Sequence, residues 1–266
     1  SGALYKVNDS QANLPLAHNV RIVMTPANID LMHNFQNIVG SQTNVMSNDL
    51  LPCTVIYDEA RPYYDSGVHL RGSQRGRYHD VRTGFHLEFQ PDDLFRGVHP
   101  VMLVDRSGAG DSTANRQEEI VLKHILNRAG GIPGTYSEIC HLLSPRPAHI
   151  GSAQFFPRHE DDFIESAFEN GGDGQMFEME LIYYPTTTNQ YGYKYITGPP
   201  PNDQVVGTDV TNLGDDKELY RYNHMIKNHR DVDDYSGFIA LSKAWSHSGP
   251  VLDAETRQLM DIDEWM

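Results

Sequence analysis

Four arginines, Arg71, Arg75, Arg77 and Arg82, fall within a dozen residues of a chain whose formal net charge is −15. They surround the connection Gly72-Ser73-Gln74-Arg75-Gly76. A guanidinium fork beside loop amides suits phosphate oxygens, so one chemistry on offer is anion capture. The other reading is plainer: a solvated hairpin whose arginines pair with the many carboxylates of an acidic chain. Other chemical signatures are thin. No G-x-x-x-x-G-K-[ST] loop is present, and Gly108-Ala109-Gly110-Asp111-Ser112, which lacks a lysine, reads as a helix cap. His159-Glu160-Asp161-Asp162 has the wrong spacing for a zinc helix, and no G-x-S-x-G elbow occurs. Of the 13 histidines, His69 and His86 fall on presumed neighbouring strands, where a solvent-facing pair is expected rather than a metal site. Glu118 and Glu119 sit in the first turns of a helix, where carboxylates favourably meet the dipole.

The elements that must position these residues follow from periodicity. Val68-His69-Leu70-Arg71 and Gly84-Phe85-His86-Leu87-Glu88-Phe89 alternate apolar and polar, which predicts a strand, a basic connection and a returning strand. Strands are also predicted at residues 20–24, 50–57, 100–104, 136–143, 150–156 and 175–184, with those at 50–104 forming an antiparallel meander. Thr25-Pro26 caps a helix carrying Ile29, Leu31, Met32 and Phe35. The strongest helix follows Asp111 or Ser112, with an apolar face of Val121, Leu122, Ile125, Leu126 and Ala129, and Gly130-Gly131 with Pro133 stops it. A short helix is predicted at 160–168. Residues 185–214, rich in Thr, Tyr, Gly, Pro and Asn, mark a subdomain boundary. Beyond it helices are predicted at 219–229, 234–245 and 254–259. Residues 1–19 read as a linker, and 260–266 as the start of a further amphipathic helix, so a continuation is expected.

Composition bounds the function classes. A chain of 266 residues that is 39% hydrophobic can bury a substantial core. Its acidity, with a pI near 5.2, argues against nucleic acid as a partner, because phosphate-backbone binding needs a broad basic face. No run approaches the roughly 18 apolar residues of a spanning helix, so membrane insertion is not expected. Cys53 and Cys140 each lie in an apolar run; two free thiols or one disulfide fit equally.

The order of several segments resembles the spore coat protein H (CotH) kinase-like family, atypical protein kinases of spore coats and of secreted or surface proteins. Val68-His69-Leu70-Arg71-Gly72-Ser73 is similar to that family's strand and R-G-x-S turn, and Gly84-Phe85-His86-Leu87-Glu88-Phe89 to its returning strand. Glu118-Glu119, with the helix running to Arg128-Ala129-Gly130-Gly131-Ile132-Pro133, resembles its helix and G-x-P turn. Gly151-Ser152-Ala153 through Glu160-Asp161-Asp162-Phe163-Ile164 resembles its strand leading to an E-D-F-L helix, and Asp173-Gly174-Gln175-Met176-Phe177 its D-G-x-L-Y strand. Met260-Asp261-Ile262-Asp263-Glu264-Trp265-Met266 resembles the V-D-L-D segment that opens its catalytic helical part. The resemblance spans roughly residues 20–266.

It implies an α+β, atypical protein-kinase-like fold: a mostly antiparallel sheet lobe with packed helices at 20–198, then a linker and incomplete helical region at 199–266. It implies ATP and Mg as cofactors, a nucleotide and a protein phosphoacceptor as partners, and an extracellular or cell-envelope location. Arg71, Ser73 and Arg75 would touch phosphate, and Glu119 would be the helix carboxylate. The departures matter as much. Arg82-Thr83-Gly84 stand where the family carries lysines, Pro157 where it carries a glutamate, and Glu178 where it carries a lysine. The family's catalytic aspartates lie beyond Asp261. Losing such groups removes electrostatic stabilisation of the transferred phosphoryl group. The chain is therefore expected to be a fragment of such a phosphotransferase that binds nucleotide weakly or not at all; the alternative is a non-catalytic pseudokinase, a structural or binding module.

Overall fold

Seven strands close into a barrel in the computed structural model, which describes residues 9–12, 18–33, 47–72, 77, 83–106, 117–129, 133–159, 161–169, 171–179, 182–184, 186–188, 194–196, 204–206, 210–221 and 223–262. The strands are β1 His18–Val23, β2 Leu51–Tyr57, β3 Arg61–Arg71, β4 Gly84–Glu88, β5 Val101–Asp105, β6 Glu138–Leu143 and β7 Gly151–Pro157. Around the barrel their order is β1-β2-β3-β4-β5-β7-β6. β2 to β5 form the antiparallel meander that the alternating runs predict. Closure comes from β1 and β6, which run parallel with His18 opposite Cys140 and Arg21 opposite Leu143.

Inward-facing side chains fill the barrel, as alternation requires when one face of each strand is buried. Val20, Val55, Leu70, Phe85, Met102 and Phe155 are all at or below 1% exposure. Thr25 caps helix α1, Pro26–Met32, its side chain accepting from the Asn28 amide at 3.3 Å. β3 begins at Arg61, well before the predicted start. The reason is the turn from β2, where Asp58 and Glu59 both adopt positive φ, a hairpin geometry that Asn-Gly would announce and Asp-Glu does not. Cys53 and Cys140 are buried free thiols, and burial pushes the Cys53 thiol up to about 12.

The chain's contacts divide it into two units. The first holds Ser1–His124, Thr135–Arg158 and Thr188–Tyr195, and the second Ile125–Gly134, His159–Thr187 and Ile196–Met266. In the second, α3 Asp161–Ala167 precedes β8 Phe177–Met179 and β9 Ile182–Tyr184. β12 Gln204–Val206 pairs with β9, while β10 Thr186–Thr188 pairs with β11 Lys194–Ile196, two strands whose residues are divided between the units. Helix α4 Glu218–Arg221, strand β13 His224–Ile226, and helices α5 Ser236–Trp245 and α6 Pro250–Leu259 complete it. Its core gathers Tyr220, Ile226 and Tyr235 against Phe177, Phe238 and Ile239.

The expected kinase-like α+β fold, a sheet lobe with packed helices followed by a helical region, is corrected here: the sheet is a closed mixed barrel. Alternation locates strands but not closure, which depends on pairing β1 with a strand some 120 residues further along the chain. The predicted helix at 219–229 is likewise a single turn, α4, followed by β13, whose pairing with β8 overrides local helical period. Asn228 secures that strand pair, accepting from the Met176 amide and donating to the Gly174 carbonyl, each at 2.7 Å. The helix predicted after Ser112 is present as α2, Gln117–Ala129, counted before α3 in chain order. Yet Val121, Leu122 and Ile125 on its expected core face are each at least half exposed. Among the described residues no helix is long and apolar enough to cross a membrane.

Candidate anion-binding site

Side chains on the outer surface of β3, β4, β5 and β7 align in rows set by the strand register. One row is His69, His86, Leu103 and Phe156. The next runs from Arg71 opposite Gly84 to Asp105 opposite Gln154. Within it the Arg71 guanidinium donates to the Asp105 carboxylate. The two residues stand on strands separated by β4, about 10 Å apart at twice the usual strand spacing, so the side chains must meet above Gly84. A Cβ there would lie 3.6 Å from both Arg71 Cβ and Asp105 Cα, and 2.6 Å from the Val104 carbonyl oxygen. Glycine at 84 is what leaves room for that close approach.

Phe156, 4% exposed, forms the floor. The Arg71 guanidinium lies 5.3 Å from its ring centroid and Lys123 Nζ of α2 lies 4.3 Å from it. Both distances fall within cation–π range. Lys123 Nζ also meets Glu119 at 2.9 Å and donates to the Ser137 hydroxyl at 3.2 Å, which in turn accepts from Gln154 Nε2 at 3.1 Å. A strand cation and a helix cation thus both contact one aromatic ring, each with its own carboxylate. Arg71 remains 32% exposed and its carboxylate partner 15%, and one contact engages only part of a guanidinium with five donors.

Beside this cluster, His69 and His86 stack with centroids 4.4 Å apart and planes 16° apart. They pair as expected but His86 is buried, 9% exposed, rather than solvent-facing. Burial holds the His69 pKa below its ordinary value; its bond to the Leu70 carbonyl opposes this and the charges of Arg77 and Arg158 add to it.

Of the residues singled out for phosphate contact, Arg71 stands at the centre of this cluster, whereas Ser73 and Arg75 lie outside the described residues, as do Arg82 and the Gly108 to Ser112 cap. Glu119 is exposed and meets Lys123 four residues on, as helical spacing dictates. Arg77 serves structure: it donates to the Gly72 and Ser47 carbonyls and to Asn48 Oδ1. Asp105, Lys123 and Phe156 were not singled out in the sequence, and Gly84 was marked only as the start of a strand. Alternation places Asp105 and Phe156 on outward positions of their strands, but only register brings them beside Arg71. His229-Arg230-Asp231 follows β13, where Arg230 Nε donates to the Ile226 carbonyl at 3.1 Å and closes a turn.

The donor set suits phosphate oxygens: one planar fork and one ammonium over an apolar floor. Magnesium asks for clustered oxygen ligands, and among the described residues no three His, Cys, Asp or Glu side chains gather to hold a metal ion. No protein-family model matches the chain, and no curated protein matches it.

Proposed function

We propose that the chain is part of a CotH-like phosphoryl-transfer protein and that the outer barrel face around Arg71 receives the phosphates of a nucleotide. The observation that carries this reading is the convergence of Arg71 from β3 and Lys123 from α2 on Phe156. Two cations from separate elements, held over a ring that excludes water from one side, attract phosphate oxygens more strongly than either would in bulk solvent. Arg71 would offer paired donors to one phosphate and Lys123 a point charge to the next. The substituted lysine positions limit the strength of that binding, so affinity for Mg-ATP is weak. Titration of the chain with Mg-ATP, followed by ³¹P NMR, tests this: line broadening of the phosphate signals that disappears in Arg71→Gln and weakens in Lys123→Met supports it. Broadening indifferent to both substitutions removes it.

A second reading has its own support. Each cation is already neutralised by a carboxylate, Asp105 or Glu119, which fits a non-catalytic binding or structural module of a secreted or envelope protein. Under that reading Mg-ATP leaves the phosphate signals of wild type and variants alike.

A further inference from the structure

The Arg71 and Asp105 pair is built with more care than a surface ion pair requires. A surface pair usually joins neighbours on one strand or adjacent strands; this one spans β4 and depends on a residue without a side chain at 84. Val104 O lies so near the missing Cβ, at 2.6 Å, that any other residue would displace β5 or itself. The carboxylate is the more buried partner, at 15% against 32% for Arg71. The guanidinium, 5.3 Å from the Phe156 centroid, gives one donor to Asp105, and that Asp105 oxygen takes the position on Arg71 that an anion's oxygen would take.

We propose that the Asp105 carboxylate holds the place of an anionic oxygen on Arg71, and that a polyphosphate binds this face by displacing it. This rests on the phosphate-binding reading above and deepens it: the site is occupied from within, and Asp105 sets how weakly it binds. Exchange of one charge-assisted contact for another leaves little net gain, because both ligands are oxyanions of similar donor preference. Removing the internal competitor releases that gain. Asparagine keeps the shape of aspartate and can still accept from Arg71, but without charge it is the weaker partner.

The test is calorimetric titration of the whole chain with sodium tripolyphosphate, and separately with Mg-ATP, for wild type, Asp105→Asn, Arg71→Gln and the double variant. Asp105→Asn is expected to bind tripolyphosphate about tenfold more tightly than wild type, the size of one charge-assisted contact. In the Arg71→Gln background the same substitution is expected to gain almost nothing, because the effect passes through Arg71. A gain that persists without Arg71 overturns the proposal, since Asp105 would then act only as a diffuse negative charge. So does an Asp105→Asn variant that binds no more tightly. Should Asp105→Asn melt early, Asp105→Ser carries the same expectation. Arg71-dependent binding of Mg-ATP by wild type with no gain in Asp105→Asn sinks this inference alone. A tripolyphosphate gain without any Mg-ATP binding sinks only the nucleotide reading.

Discussion

Two arginines at opposite ends of the barrel show how one side chain type serves structure in one place and chemistry in another. Arg96, on the turn between β4 and β5, lies 5.1, 5.3 and 5.7 Å from the ring centroids of Tyr57, Phe95 and Tyr136. Its guanidinium donates to both Glu138 oxygens, to the Tyr57 hydroxyl and, at 3.4 Å, to the Tyr136 hydroxyl. Beneath it Phe95 packs edge-on against Tyr57 and Phe155, with centroids 5.2 Å away in each case. Arg71 has one ring, which it shares with Lys123, and one carboxylate. A guanidinium that donates to several side chains cross-links a fold, whereas one that meets a single carboxylate keeps donors for a ligand.

A cavity of about 320 Å³ adjoins the Arg96 end, lined by Arg61, Tyr63, Asp92, Asp93 and Arg96 among others. Its cations are committed, Arg61 to Asp93 and Arg96 to Glu138.

The comparison breaks most readily at Arg96. Arg96→Ala leaves Glu138, 17% exposed, and the buried Tyr57 hydroxyl short of a donor, a loss of about 2–3 kcal/mol. Urea unfolding should show that loss while phosphate binding stays intact; an Arg71 variant that costs as much would erase the distinction between the two ends. Gly84→Ala is next, at about 1–3 kcal/mol for overpacking against the Val104 carbonyl. It should also shift Arg71 away from Asp105, read as a chemical-shift change at the Arg71 Nε.

Arg71→Gln should cost less, about 1 kcal/mol, because a single ion-pair contact is lost and glutamine can still donate to Asp105, yet remove tripolyphosphate binding. Smallest is a pH effect at His69. Its folded pKa lies below the ordinary 6.5, so the unfolded chain takes up the proton first as pH falls. Stability is therefore flat above about 6.5 and declines as pH drops from there toward the folded pKa. His69→Gln should flatten that acid limb in urea melts taken between pH 7 and 5, and an unchanged slope would show that His69 contributes nothing to it. His224 in the second unit, tilted against Phe238 with centroids 4.4 Å apart and with its pKa lowered by burial, contributes a limb of the same sign.

Much of the barrel was legible because alternation is a local property. Val68, Leu70, Phe85 and Leu87 announce their inward faces within a few residues, and Thr25-Pro26 announces a helix start. Asp58 and Glu59 announced nothing, since their positive φ is imposed by the hairpin they join. α4 and β13 failed for a related reason: a helical period in residues 219–229 lost to pairing with a strand near residue 178. At the site, the cluster of basic residues drew notice to the stretch after Leu70; of its two described arginines, Arg77 went to backbone carbonyls and Asn48, and Arg71 is placed at the site. Glu119 was marked by its helical position, whereas Lys123 four residues later, the residue that reaches Phe156, was not.

Sequence by itself determined the approximate positions of the barrel strands, which of their faces turn inward, and that an acidic chain keeps a local concentration of arginine after β3. Tertiary structure decided that the sheet closes, that Gly84 becomes a gap under a side chain, and that Asp105 and Phe156 meet Arg71. The reason is range. Periodicity and capping act over a few residues, while register across four strands and closure between β1 and β6 depend on partners tens to more than a hundred residues away.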